Sequence, residues 1–194
     1  MDIKNNLSEQ PMNIEKTWYE LGPFTVFDVE TTGMSPARDR IVEIAAIHVD
    51  TDGHMTRFHS LVNPGVPIPY QASRVHNISD DMVASAPGFS QVGPRFMDLA
   101  RGSTLVAHNA RFDLGFLQES LFRTGQQLWK GNTMDTLKLA RQAFKGLPSY
   151  SLQNLRIALC LPEFDGNAHR AYADVEWTVH LLARILDSLM KVVS

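Results

Sequence analysis

Four carboxylates and one imidazole, Asp28, Glu30, Asp113, Asp174 and His169, offer hard oxygen donors and a titratable base. Asp28 and Glu30 lie two residues apart in Phe24-Thr25-Val26-Phe27-Asp28-Val29-Glu30, whose aromatic and β-branched content predicts a strand. Side chains two apart on a strand share a face. Phe24 and Val26 therefore share one with Asp28 and Glu30, and that face turns from apolar to anionic at the strand's C-terminal end. Ligands of α/β sheets favour that end. Two carboxylates about 4 Å apart repel by roughly 4 kcal/mol at an effective dielectric near 20. Protons, a basic side chain or a metal must neutralise them, and no Lys, Arg or His lies between Phe24 and Met34.

Asp113 falls early on a predicted helix that follows a short apolar strand. His169 lies in a loop after Gly166-Asn167, and Asp174 is expected in the first turn of the last helix. Taken singly, each has a plain explanation: a solvated strand end, an acid favoured by the helix dipole, a surface histidine. Together they place four hard oxygen donors and a titratable imidazole at strand ends and helix starts. Such donors suit Mg²⁺ or Mn²⁺. They do not suit structural Zn²⁺, since Cys160 stands alone.

The strands and helices around these groups can be outlined from the sequence. After the strand from Phe24 to Glu30, Thr31-Thr32-Gly33-Met34-Ser35-Pro36 breaks the pattern. Arg40–Asp50 predicts a second strand, Asp52-Gly53 a hairpin turn, and His54–Val62 a third strand. Residues 66–88 are rich in turn formers, with a helix start at Ser79-Asp80-Asp81. Phe89–Ala100 predicts a helix, Thr104–His108 a short strand, and Arg111–Arg123 a helix capped by Asn109. Thr133–Phe144 predicts a strand end plus helix, Ser151–Leu159 a helix, and Ala171–Met190 the last and longest one. A meander followed by alternating helix and strand implies one α/β domain with a mixed sheet. The expected division is an N-terminal extension over residues 1–20 and a domain over 21–190.

Of the 194 residues, 44% are hydrophobic and 20% charged, a globular mixture. No apolar run reaches the roughly 18 residues of a membrane span. The single cysteine excludes an internal disulfide and fits a reducing compartment, so a cytoplasmic protein is expected. Eighteen basic residues face 21 acidic ones, a net charge of −3. A generic polyanion binder is basic. If the partner is nucleic acid, part of the positive charge must come from bound metal.

Three segments then carry a resemblance. Phe27-Asp28-Val29-Glu30-Thr31-Thr32-Gly33, His108-Asn109-Ala110-Arg111-Phe112-Asp113 and His169-Arg170-Ala171-Tyr172-Ala173-Asp174 resemble the three motifs of the DEDDh 3′–5′ exonucleases. The flavour is closest to the proofreading epsilon subunits of DNA polymerase III, and more distant from ribonuclease T and oligoribonuclease. Val75-His76-Asn77-Ile78 resembles a further family segment, with Asn77 where related chains carry Gly. Asn tolerates the left-handed backbone.

The resemblance implies a ribonuclease H-like fold, with a central mixed five-stranded sheet flanked by helices. It implies an enzyme that releases nucleoside monophosphates from the 3′ ends of single-stranded DNA, using two Mg²⁺ or Mn²⁺ ions. Asp28, Glu30 and Asp174 would hold the first ion, and Asp28 would bridge to the second with help from Asp113. His169 would be the general base. Thr31, Thr32, Gly33, Met34, His76, Asn109 and Phe112 would contact substrate: hydroxyls on the terminal sugar or phosphate, Gly33 by close approach, Met34 and Phe112 by apolar packing, His76 as a wedge between bases. Arg38, Arg40, Arg111 and Arg170 would steer the backbone. A polymerase subunit is a candidate partner. The same chemistry on RNA, and a catalytically silent nucleic-acid or polymerase-binding module, remain open alternatives.

Overall fold

The computed structural model describes residues 17–162 and 170–193. The predicted meander forms as β1 (Phe24–Thr31), β2 (Ile41–Val49) and β3 (Met55–Leu61). Its strands are antiparallel, with Asp28 opposite Ala45 and Glu30 opposite Glu43. The Asp52-Gly53 turn is present: Gly53 takes φ +81°, and the Asp50 carboxylate accepts from the N–H groups of Asp52 and His54 at 3.0 and 2.9 Å.

The segment rich in turn formers contributes two short helices, α1 (Tyr70–His76) and α2 (Asp80–Val83). Next come α3 (Phe89–Leu99), β4 (Thr104–Ala107), α4 (Ala110–Arg123) and β5 (Thr133–Asp135). The chain continues through α5 (Thr136–Ala143), α6 (Leu152–Ala158) and α7 (Arg170–Val193). β4 and β5 run parallel to β1, and the strand order is β3-β2-β1-β4-β5. The expected mixed five-stranded sheet flanked by helices is what forms.

Alternation along β1 sorts the core onto two faces. Phe24 and Val26 pack with Ala45, Ile47, Val49 and Val106 against Val175, Val179 and Leu182 of α7. Phe27 and Val29 point the other way, toward Phe96 of α3 and Phe116, Leu117 and Leu121 of α4. Full burial of one such side chain stabilises by roughly 1.5–3 kcal/mol. Both layers are thereby fixed against β1, and α7 and α4 bring Asp174 and Asp113 to the strand's C-terminal end. β1 pairs with β4 only from Phe24 to Val26. Beyond Val26 its β4-side edge is open, and a crevice forms there.

The structure differs from the sequence expectations at several boundaries. Trp18–Leu21 is a short 3-10 helix whose Trp18 stacks on Phe24 at 6.1 Å, so packed structure begins before the expected boundary at residue 21. The last helix starts at Arg170, which puts Asp174 one turn in rather than in the first turn. Asn109 does not cap α4 through its side chain. It takes φ +69°, ψ +50°, the left-handed region, and its own N–H donates to the Asp135 carboxylate at 3.2 Å. Asn77 also takes φ +59°, the geometry that Asn tolerates.

Candidate active site

Three acids from two elements converge at the end of β1. One carboxylate oxygen from each of Asp28, Glu30 and Asp174 lies within 4.8 Å of the others. Asp28 and Glu30 face α7 because they alternate in register with Phe24 and Val26. Asp174 meets them because it precedes Val175, which packs into that same face. The three are half-buried, whereas Asp113 is buried at 3% exposure. Asp113 takes the N–H of Val29 at 3.2 Å, on the stretch of β1 that β4 leaves unpaired. It thus completes the strand's hydrogen bonding with a carboxylate where a neighbouring strand would have supplied a carbonyl.

These groups line one crevice of about 190 Å³, together with Val29, Val75, His108, Asn109 and Phe112. A larger open groove of about 740 Å³ lies at the opposite ends of β4 and β5, around Arg101, Gln127 and Trp129, without such a cluster of acids. The crevice resists ionisation of its acids. Burial pushes the Asp28 carboxyl well above its ordinary range, and Asp113, Asp174, Glu30 and Glu43 raise it further. Burial likewise pushes Asp113 up to about 7, against the opposing pull of the Val29 N–H. A set of carboxylates so poised fits a hard divalent cation, which takes a few acid oxygens and removes the repulsion that protons otherwise relieve.

The remaining expected residues are placed as follows. Thr31 and Thr32 are buried. The Thr31 hydroxyl donates to the Gly33 carbonyl at 2.6 Å, and the Thr32 hydroxyl accepts from the Arg40 N–H at 3.0 Å. Both hydroxyls hold the loop together. Gly33 meets a close approach: a Cβ there would lie 2.5 Å from the Asp39 carboxylate, which is tied to the Ser35 N–H. Met34 is 79% exposed. Phe112 is half-buried against Phe116 and lines the crevice. His76 is buried, and its Nδ1 accepts from the Ile78 N–H at 3.0 Å. The exposed side chain of that segment that lines the crevice is Val75. Arg38 and Arg111 are exposed and Arg40 is half-buried. His169 and the side chain of Arg170 lie outside the described residues.

Glu43 was not among the residues expected at the site, and Asp135 was legible only as part of Asp135-Thr136-Leu137, a segment similar to one in related chains. Glu43 is buried, stands opposite Glu30, and accepts from His59 Nε2 at 2.8 Å. Its signal was an acid inside the apolar run Ile41-Val42-Glu43-Ile44-Ala45-Ala46-Ile47. Asp135 gathers the N–H groups of Asn109, Leu137 and Lys138 on one oxygen and so ties the turn before α4 to the start of α5. His108 donates from Nε2 to the Tyr150 carbonyl at 2.9 Å, leaving Nδ1 to accept from the Thr136 hydroxyl at 3.0 Å. Burial lowers its pKa and favours that neutral form.

Comparison with known proteins agrees with this geometry. Residues 25–182 match the RNase T family, described as exonuclease. The DNA polymerase III subunit epsilon of Treponema pallidum is 37% identical over 165 residues, 84% of this chain and 76% of that protein. The 3′–5′ exonuclease DinG of Bacillus subtilis is 37% identical over 167 residues, 86% of this chain and 18% of its own length. Exonuclease X, solved with 5′ overhanging duplex DNA, superposes with a TM-score of 0.65 at 30% identity, covering 87% of this chain and 92% of that one. Several other curated relatives are much longer, and the chain spans only 11–24% of them.

Proposed function

Because this chain belongs to the RNase T exonuclease family, we propose that it removes nucleoside monophosphates one at a time from the 3′ ends of single-stranded DNA. The observation that carries this reading is the meeting of Asp28, Glu30 and Asp174 within 4.8 Å, with Asp113 on the same crevice. In the reaction a water oxygen bonds to the terminal phosphorus and the bond from phosphorus to the preceding 3′ oxygen breaks. The products are a nucleoside 5′-monophosphate and a shortened strand with a new 3′-hydroxyl.

Asp28, Glu30 and Asp174 would hold one divalent ion, and Asp28 with Asp113 would hold a second. Mg²⁺ or Mn²⁺ bound there supplies charge neutralisation and Lewis acidity to the phosphoryl centre. His169 takes the proton from the attacking water at an imidazole nitrogen, the kind of side chain that most often serves as general base at neutral pH. The Thr31–Met34 segment receives the terminal nucleotide through its backbone and the Thr32 O–H, since the Thr31 hydroxyl donates to the Gly33 carbonyl while the Thr32 hydroxyl only accepts within the loop. Val75, Phe112 and Met34 offer apolar surface to the last bases, which suits a strand read without sequence preference. The likeness to an epsilon subunit supports a polymerase as partner.

Matched 5′-labelled DNA and RNA single strands, incubated with Mg²⁺ or Mn²⁺, test the reading. Stepwise ladders on DNA, stronger than on RNA, are expected. Stronger ladders on RNA would move the substrate to RNA, and none on either polymer with either ion would leave a catalytically silent binding module.

A further inference from the structure

Arg123 ends α4, about 15 Å along the helix axis from Asp113. Its guanidinium is engaged on every nitrogen. Nη1 donates to the Asp39 carbonyl at 2.9 Å, and Nη2 donates to the carbonyls of Pro36 and Ala37 at 2.9 and 2.5 Å. Nε pairs with Glu119, one turn back, at 3.0 Å. All three carbonyls belong to the segment joining β1 to β2. A planar fork can bind several carbonyls of one turn at fixed angles, and a lysine ammonium cannot reproduce that arrangement. Counted by type, Arg123 is one more cation for the substrate backbone. By geometry, four of its five N–H donors are committed to protein.

The clamped segment is the one that follows Glu30 directly. It is braced by Thr32 N–H to the Arg40 carbonyl at 2.8 Å and by Asp39 N–H to the Ser35 carbonyl at 2.7 Å. Its large exposed apolar side chain is Met34. α4 touches it a second time at Gly115, where a Cβ would come 3.2 Å from the Pro36 ring. One helix therefore carries Asp113 near its start and grips the neighbouring loop from its end. The acids and the loop are referenced to a common rigid body.

We propose that Arg123 is a positioning residue that sets where residues 32–40 present Gly33 and Met34 to the last nucleotides of the substrate. The proposal rests on the exonuclease reading above. Its test uses two substrates: a single-stranded oligonucleotide, and bis(p-nitrophenyl) phosphate, a diester with neither sugar nor base. Arg123→Ala should raise the oligonucleotide KM about tenfold while diester turnover changes less than about twofold, the pattern of lost substrate binding with the chemical step intact. Arg123→Lys should not restore the KM. Adding Met34→Ala to Arg123→Ala should raise it no further, because both act through the same loop. Glu119→Gln loosens the guanidinium without removing it, and should show the same split at smaller amplitude if Arg123→Ala folds poorly. An unmoved oligonucleotide KM, or equal losses on both substrates, overturns the proposal. Wild-type protein inert on both substrates would instead remove the exonuclease reading, and this proposal with it.

Discussion

Asp28 and Asp113 hold the physics of the site in two side chains. Each is a carboxylate that burial and like-charged neighbours resist ionising. A carboxyl whose pKa is raised on folding destabilises the folded state once pH passes its unfolded value. For Asp113 that penalty is absent below the unfolded value near 3.9, grows through the window up to about 7, and is full above it. Without metal, Asp113→Asn should therefore melt higher than wild type at pH 8, by a few degrees or more, and lose that advantage at pH 4. A melting difference independent of pH would contradict the assignment. Divalent ions should close the gap at pH 8 by raising the wild type. Asp28→Ala should remove that metal-induced rise while leaving the metal-free fold intact, as read by circular dichroism.

The turn between β4 and α4 shows how an element sets the site. Asn109 sits in the left-handed region, and its N–H is held by Asp135. Asn109→Ala should cost about 1 kcal/mol from the left-handed backbone alone, whereas Asn109→Gly should retain stability. Equal stabilities in denaturant titration would show that the turn is not strained as described. This feature was not legible in the sequence, where Asn before a helix reads as an N-cap. Propensity cannot distinguish a side-chain cap from a left-handed turn fixed by an acid 26 residues away. By contrast, the meander, β4 and the main helices were legible, because alternation and the 3.6-residue period come directly from what each face must bury. Asp28 and Glu30 were legible as an anomaly on an apolar face. Glu43 was not, because its meaning depends on strand register opposite Glu30. Arg123 was not, because its three carbonyl partners lie more than 80 residues away in the chain. The Thr31 hydroxyl donates to the Gly33 carbonyl and the Thr32 hydroxyl accepts from the Arg40 N–H, contacts set by how the loop closes and not readable from the residues alone.

At the scale of the whole molecule, the puzzle is an acidic chain, net −3, whose family acts on a polyanion. The sheet resolves it by concentrating carboxylates where β1 outruns β4, so that cations rather than lysines can face the phosphates. Among the described residues no helix is long and apolar enough to cross a membrane. The most direct measurement follows a 5′-labelled DNA single strand with Mn²⁺, wild type beside Asp28→Ala, both checked for equal folding. Wild type should give a ladder shortening from the 3′ end, abolished by chelator, and the variant none. A variant that degrades the strand as fast as wild type, or a wild-type ladder indifferent to chelator, would contradict it.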